Sequence, residues 1–231
     1  MDSMKHLQKE QKKIFSLVKA FKTPYYLTGG TALAFHFGHR FSEDLDFFTQ
    51  KYKKTDPDKI MKHIKEKTKY TYSLINELNE QGLVPLKSFQ LELGKGASLK
   101  IDFVSDFTHN IQKIKGGIHS PEDIYYRKIC VTLGKKAGMT DDVGRIISIG
   151  RQTVKDLLDI YYLSKRIEPL HKFFLRYFAP NAFEYVESWY RGFNRMEAKL
   201  EMPYYAPTID PGDIFRYLDK EILQKYRRED V

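Results

Sequence analysis

LTGGTALAFHFGHRFSEDLDFF, residues 27–48, sets a Gly29-Gly30-Thr31 turn ahead of an Asp44-Leu45-Asp46 pair. Tyr25, Tyr26 and Leu27 make a short aromatic and apolar strand running into the glycines, and Thr31 to Phe37 reads as helix, so the order is strand, glycine turn, helix. After a break around Gly38 to Ser42, Asp44 to Phe48 alternates with period two, which puts Asp44 and Asp46 on one strand face. A tight glycine turn lets backbone amides approach phosphate oxygens, and a helix starting there adds the positive end of its dipole. Two carboxylates on one side of a strand can hold a divalent metal beside those phosphates. Gly29, Gly30 and Thr31 are therefore candidate phosphate-binding residues, Asp44 and Asp46 candidate metal ligands, and phosphoryl chemistry is the expectation.

Working outward, residues 4–20 carry Leu7, Ile14, Phe15, Leu17 and Val18 among Lys, Gln and Glu, an amphipathic helix that stops near Thr23-Pro24. Asp56-Pro57 starts a second helix from Asp58 to about Tyr70. Tyr70 to Glu77, Ser88 to Leu93 and Ser98 to Val104 are β-prone and separated by Gln81-Gly82 and by Gly94 to Gly96, which predicts a largely antiparallel meander. The last of these strands carries Asp102 between Ile101 and Phe103, a third carboxylate that a sheet can bring beside the pair. Ser120-Pro121-Glu122-Asp123 is a helix start, with proline in the first turn and acids complementing the dipole. Helices are predicted over Ile124 to Leu133, Thr153 to Ser164, His171 to Phe178, Ala182 to Tyr190 and Asp213 to Tyr226. The change near residue 115 divides an α+β fold into a mixed-sheet core with flanking helices, residues 1–115, and a helical half, residues 116–231, that completes the active-site cleft.

The 231 residues, 42% of them hydrophobic with 16 Phe and 16 Tyr, suffice for a globular core. Cys130 is the single cysteine, which excludes an internal disulfide and a Cys-rich zinc site; its apolar surroundings predict a small buried thiol in a reducing cytoplasm. No apolar run approaches the roughly 18 residues that cross a bilayer, so no membrane partner is expected. The formal charge of +9 suits a polyanionic partner such as nucleic acid or nucleotide, and equally a solvated lysine surface. The aromatics Trp189, Tyr190, Phe193, Tyr204 and Tyr205 are read as helical core before base-stacking groups. His36 and His39 lack the further ligands a zinc ion needs.

Nucleotidyl transfer requires neutralising a triphosphate, holding the leaving pyrophosphate and aligning a hydroxyl in line, which two metal ions about 3.5–4 Å apart can do. Asp44 and Asp46 are suitable shared ligands, and Asp102 can complete the set and assist the attacking hydroxyl. Farther on, Lys128, Lys155, Asp156 and Asp159 are explained by a solvated helix face as well as by a site, since Lys155 and Asp159 form an i, i+4 pair. Arg151, entering that helix, reads as a solvent-facing cap.

The order GGTAL, HRFSEDLDFF and LKIDFV resembles the nucleotidyltransferase superfamily that includes DNA polymerase beta, and within it the AbiEii/AbiGii toxin group of abortive-infection and toxin–antitoxin systems. SPEDIYYRKICVTLG and RQTVKDLLDIYYL are similar to that group's helical motifs, so the resemblance spans about residues 25–165. It implies a nucleotidyltransferase-type mixed sheet, with Gly29, Gly30 and Thr31 on the nucleotide-binding turn and Asp44 and Asp46 as the metal pair. Arg40 falls on an arginine that holds phosphate or braces the loop, Lys128 on a triphosphate contact, and Asp156 on the acid of a Lys-Asp-x-x-Asp motif. Asp102 would be the third acid. The implied cofactor is Mg2+ or Mn2+, the substrate a nucleoside triphosphate, the acceptor RNA such as a tRNA end, and the partner a cognate antitoxin. A protein side chain or an antibiotic-like small molecule is the alternative acceptor, and a non-catalytic nucleotide-binding protein the alternative class.

Overall fold

The computed structural model describes residues 2–80, 82–94, 96–134 and 150–224. Most of the expected 134–150 link, Gln81 of the expected turn and the end of the helix predicted to reach Tyr226 lie outside them. The chain divides into two compact units, Met1–Ser120 and Pro121–Val231.

In the first unit the elements run α1 (Asp2–Ala20), β1 (Tyr26–Thr28), α2 (Gly29–Phe37), β2 (Asp44–Thr49), α3 (Asp56–Thr68), β3 (Thr71–Leu78), β4 (Leu86–Gly94) and β5 (Ala97–Ser105). The sheet order is β1-β2-β5-β4-β3. β3, β4 and β5 form the antiparallel meander that their turn residues predict, and β1 is antiparallel to β2. β2 and β5, however, pair in parallel, Asp46 opposite Asp102 and Asp44 opposite Lys100. Parallel neighbours need a long crossover, which α3 and the β3–β4 hairpin supply.

Burial alternates strictly on the two central strands. Leu45 and Phe47 of β2 and Leu99, Ile101 and Phe103 of β5 are buried, while Asp44, Asp46, Lys100 and Asp102 share the opposite, half-buried face. The apolar face joins Phe89 and Leu91 of β4 and the Ile14, Val18, Ile60, Met61 and Ile64 stripes of α1 and α3, so the hydrophobic effect fixes which face the acids occupy. Phe47 stacks on Phe103 with ring centroids 5.5 Å apart, locking the register from the core side.

The second unit contains α4 (Pro121–Leu133), α5 (Val154–Arg166), α6 (Leu170–Tyr177), α7 (Phe183–Arg191), α8 (Arg195–Tyr205) and α9 (Pro211–Leu218). Trp189, Tyr190, Phe173, Phe174 and Phe183 are fully buried, as a helical core requires, whereas Tyr204 is exposed. α8 has no counterpart among the predicted helices because Pro203 lies inside its last turn. Cys130 is half-buried rather than buried, and partial burial still pushes its thiol pKa up. Among the described residues no helix is long and apolar enough to cross a membrane.

Candidate active site

The glycine turn packs its first two positions against two charged side chains, Asp46 and Arg40. Gly29 adopts φ +70°, in the left-handed region, and a Cβ there would sit 2.6 Å from Asp46 Oδ2. A Cβ on Gly30 would overlap the Arg40 guanidinium. The turn thus lies directly against Asp46, one of the two candidate metal ligands, and against the arginine that the resemblance singles out. Arg40 is buried and donates from Nη1 to the Phe41 carbonyl at 2.7 Å.

Thr28 is the N-cap of α2, yet its side chain makes no cap hydrogen bond. Its Oγ1 is engaged instead by Nδ1 of the fully buried His119, 2.7 Å away. The first-turn amides of α2 therefore keep their donor capacity, and no acid occupies that turn. His119 is fixed by three further contacts: Asn110 Oδ1 lies 2.9 Å from its Nε2, its carbonyl is 2.7 Å from His36 Nε2, and its amide donates to the Leu27 carbonyl at 2.9 Å. His36, weighed against a zinc role in the sequence, serves here as a strut. Thr31 spends its hydroxyl on structure, donating to the Asp44 carbonyl and sharing a 2.8 Å hydrogen bond with Ser42 Oγ. What it offers a ligand is its backbone.

On the sheet, parallel register places Asp102 beside Asp46 and Lys100 beside Asp44, all on the face opposite the core. Lys100 Nζ lies 2.6 Å from Asp102 Oδ2. Burial pulls the Lys100 pKa down, but its hydrogen bond to Asp102 and the charges of Asp102, Asp44 and Asp46 outweigh that and hold it above the ordinary lysine value. Asp102 Oδ1 is buried without a hydrogen-bond partner. A carboxylate oxygen so placed leaves a desolvation penalty open that a cation or a donor proton would relieve. Among the described residues, no three His, Cys, Asp or Glu side chains are drawn together as a ready-made ion cage. Hard oxygen donors from two adjacent strands, short of a full cage, suit Mg2+ or Mn2+, which are commonly held by one or two carboxylates with the remaining ligands from substrate phosphates and water.

The helical unit holds a separate charge cluster. Lys128 of α4 places Nζ 2.7 Å from Asp156 Oδ1 and 2.7 Å from Asp159 Oδ2 of α5, and both acids are fully buried. Arg151 grips Asp156 through Nε and Nη2, each at 2.8 Å. Thr153 caps α5 by accepting from the Asp156 amide and returns its hydroxyl to Asp156 Oδ2 at 2.8 Å. Burial alone would raise the Asp156 pKa; Lys128 and Arg151 overcome it and set the carboxyl below its ordinary value. Asp156 and Asp159 are thus not a solvated helix face. Lys128 is nearly buried between them, whereas the Arg151 side chain remains 60% exposed, so Arg151 is the member of this cluster with charge accessible from outside.

Of the residues named from the sequence, the first unit sets Asp46 opposite Asp102, Gly29 against Asp46, Gly30 against Arg40 and Thr31 on the Asp44 carbonyl; in the second, Lys128 and Asp156 meet. Sequence reasoning passed over Lys100, Thr28, His119 and the burial of Asp159. The period-two spacing of Lys100 and Asp102 was a readable sign that both share a face.

The sequence model of the family described as "Nucleotidyl transferase AbiEii toxin, Type IV TA system" matches residues 16–225. An uncharacterized protein of Aquifex aeolicus (strain VF5) is 43% identical over 63 residues, which are 26% of this chain and 31% of that relative, so the chain spans about a third of it. The fold is shared with JHP933 from Helicobacter pylori, with TM-score 0.61 and 17% identity over 100% of this chain and 94% of that one. The nucleotidyltransferase toxin MenT4 from Mycobacterium tuberculosis H37Rv superposes with TM-score 0.53 at 12% identity, over 98% and 87% of the two chains.

Proposed function

Because the chain belongs to the AbiEii nucleotidyl transferase toxin family of type IV toxin–antitoxin systems, we propose that it transfers a nucleoside monophosphate from a nucleoside triphosphate to an RNA acceptor, such as a tRNA end. The observation that carries this reading is the register of Asp46 against Asp102, with Gly29 packed on Asp46. Together they put a turn without side chains at Gly29 and Gly30 beside carboxylates on adjacent strands.

In this reaction the acceptor hydroxyl oxygen forms a bond to the α-phosphorus, the α–β phosphoanhydride bond breaks, and pyrophosphate leaves with the electron pair. The amides at the start of α2 receive the triphosphate, and the buried Arg40 guanidinium supports the turn from behind Gly30. Asp102 Oδ1, lacking a partner, accepts the hydroxyl proton or takes part in cation binding. Asp44, Asp46 and Asp102 would hold Mg2+ or Mn2+, which supplies charge neutralisation for the phosphates and the leaving pyrophosphate. Lys128 and Asp156 form the fixed charge set of the helical unit, and Arg151 is its exposed cation. The protein works in the cytoplasm, where its triphosphate and RNA are found, and a cognate antitoxin encoded alongside restrains it.

Incubation with Mg2+, total tRNA and each α-labelled nucleoside triphosphate in turn tests this reading. Label is expected in RNA with the wild type and absent with Asp46→Ala, while the urea unfolding midpoint of the variant stays close to that of the wild type. Label that survives Asp46→Ala sinks the mechanism; label in protein or in a small molecule moves the acceptor; no label with any triphosphate favours a binding protein of the same fold.

A further inference from the structure

We infer that Lys100 is a positioning residue that makes cation binding at Asp44, Asp46 and Asp102 conditional on nucleotide, a statement that rests on the reading above. The geometry supplies three points. Parallel register puts Lys100 opposite Asp44 and Asp102 opposite Asp46, so one ammonium shares a face with three carboxylates. The ammonium takes one oxygen of Asp102, Oδ2, at 2.6 Å. The other oxygen, Oδ1, is buried and left without a partner.

A divalent ion arriving alone meets a site whose third acid is already half engaged and whose negative charge is reduced by one. The repulsion between two cations on the same carboxylates opposes its entry. Nucleotide changes both terms, since its phosphates add hard oxygen ligands and their own negative charge beside the turn. Lys100 keeps Asp102 oriented meanwhile, so the buried oxygen is ready when the nucleotide brings the ion. Its side chain is 40% exposed, leaving it room to shift as the ion enters. The consequence is an enzyme that holds a divalent ion only weakly at rest and assembles its site around the nucleotide–ion complex.

The test measures Mn2+ binding to the full-length protein by electron paramagnetic resonance, first with Mn2+ alone and then with non-hydrolysable α,β-methylene triphosphates. Wild type is expected to bind Mn2+ weakly without nucleotide, and Lys100→Met about tenfold or more tightly, the size expected for removing one nearby cation in a partly solvated site. Lys100→Arg should restore weak binding, and adding Asp46→Asn to Lys100→Met should abolish the gain. Lys100→Gln is the second neutral variant should the Met side chain disturb folding. Neutral variants that bind Mn2+ within twofold of wild type, or more weakly, overturn the inference while leaving the metal reading intact if nucleotide still recruits Mn2+. Absence of Mn2+ binding in every protein, with and without nucleotide, overturns both.

Discussion

Lys128→Met is the perturbation whose consequence is best determined by the structure. The Lys128 ammonium lies 2.7 Å from each of two fully buried carboxylates, Asp156 and Asp159. Each contact represents roughly 6 kcal/mol of gross attraction at an effective dielectric near 20. That attraction mainly offsets the desolvation of three charges, so the useful quantity is the loss on breaking the set, about 3–5 kcal/mol for a buried pair stripped of one partner. Arg151 cannot compensate, because it is already committed to Asp156 and, being 60% exposed, is screened by solvent. Urea unfolding followed by circular dichroism should therefore show Lys128→Met losing about 3–5 kcal/mol at neutral pH, a large share of a typical domain's 5–15 kcal/mol. The double variant Lys128→Met/Asp159→Leu replaces an ammonium and a carboxylate with apolar groups and leaves Asp156 with Arg151 and Thr153. It should recover about 2 kcal/mol relative to Lys128→Met alone. A single-variant loss under about 1 kcal/mol, or a double variant no better than the sum of its singles, would falsify the coupling of these charges.

Acid provides a second view of the same cluster. The folded Asp156 pKa lies below its ordinary value of 3.8, so Asp156 stabilises the fold fully above that value and progressively less as pH falls through the folded one. Asp156→Asn should therefore flatten the decline in urea midpoint below about pH 4; an unchanged slope counts against the assignment. Gly29→Ala combines a left-handed backbone with a Cβ 2.6 Å from Asp46 Oδ2, and should lose about 1–3 kcal/mol of stability along with nucleotide binding, read by denaturant titration and by fluorescence of a labelled triphosphate. Thr28→Val removes the buried hydrogen bond between Thr28 Oγ1 and His119 Nδ1 and should cost about 1–3 kcal/mol, which a wild-type melting curve would contradict. Burial raises the Cys130 pKa, so its alkylation by iodoacetamide at pH 7 should run slower than that of a free cysteine peptide.

The local half of this site is legible because local chemistry specifies it. Period-two alternation from Asp44 to Phe48 reveals a strand with acids on one face, and paired glycines ahead of an apolar helix reveal the turn. The parallel pairing of β2 with β5 has no such signature: the intervening meander is antiparallel, and only the common apolar face of Leu45, Phe47, Ile101 and Phe103 decides that β5 closes on β2. The same limit hid the helical cluster. Asp156 and Asp159 with Lys155 look like a solvated face until Lys128 from another helix is set between the acids, and that contact depends on packing rather than on spacing along α5. His119 was hidden differently, since a loop histidine becomes significant only after Gly117 and His119 bind the main chain of Leu27.

That last connection makes β1 a wedge held on both edges, by β2 on one side and by residues 117–119 on the other. Such a strand cannot drift. A slip of one residue against β2 would exchange the faces of Tyr26, Leu27 and Thr28, taking Leu27 out of the core and carrying Gly29 away from Asp46. Sequence can therefore diverge widely through α3 and the β3–β4 hairpin, yet a one-residue deletion within Tyr26–Thr28 has no graded intermediate between a working protein and an unfolded one. This is the segment in which length, more than residue identity, is under constraint.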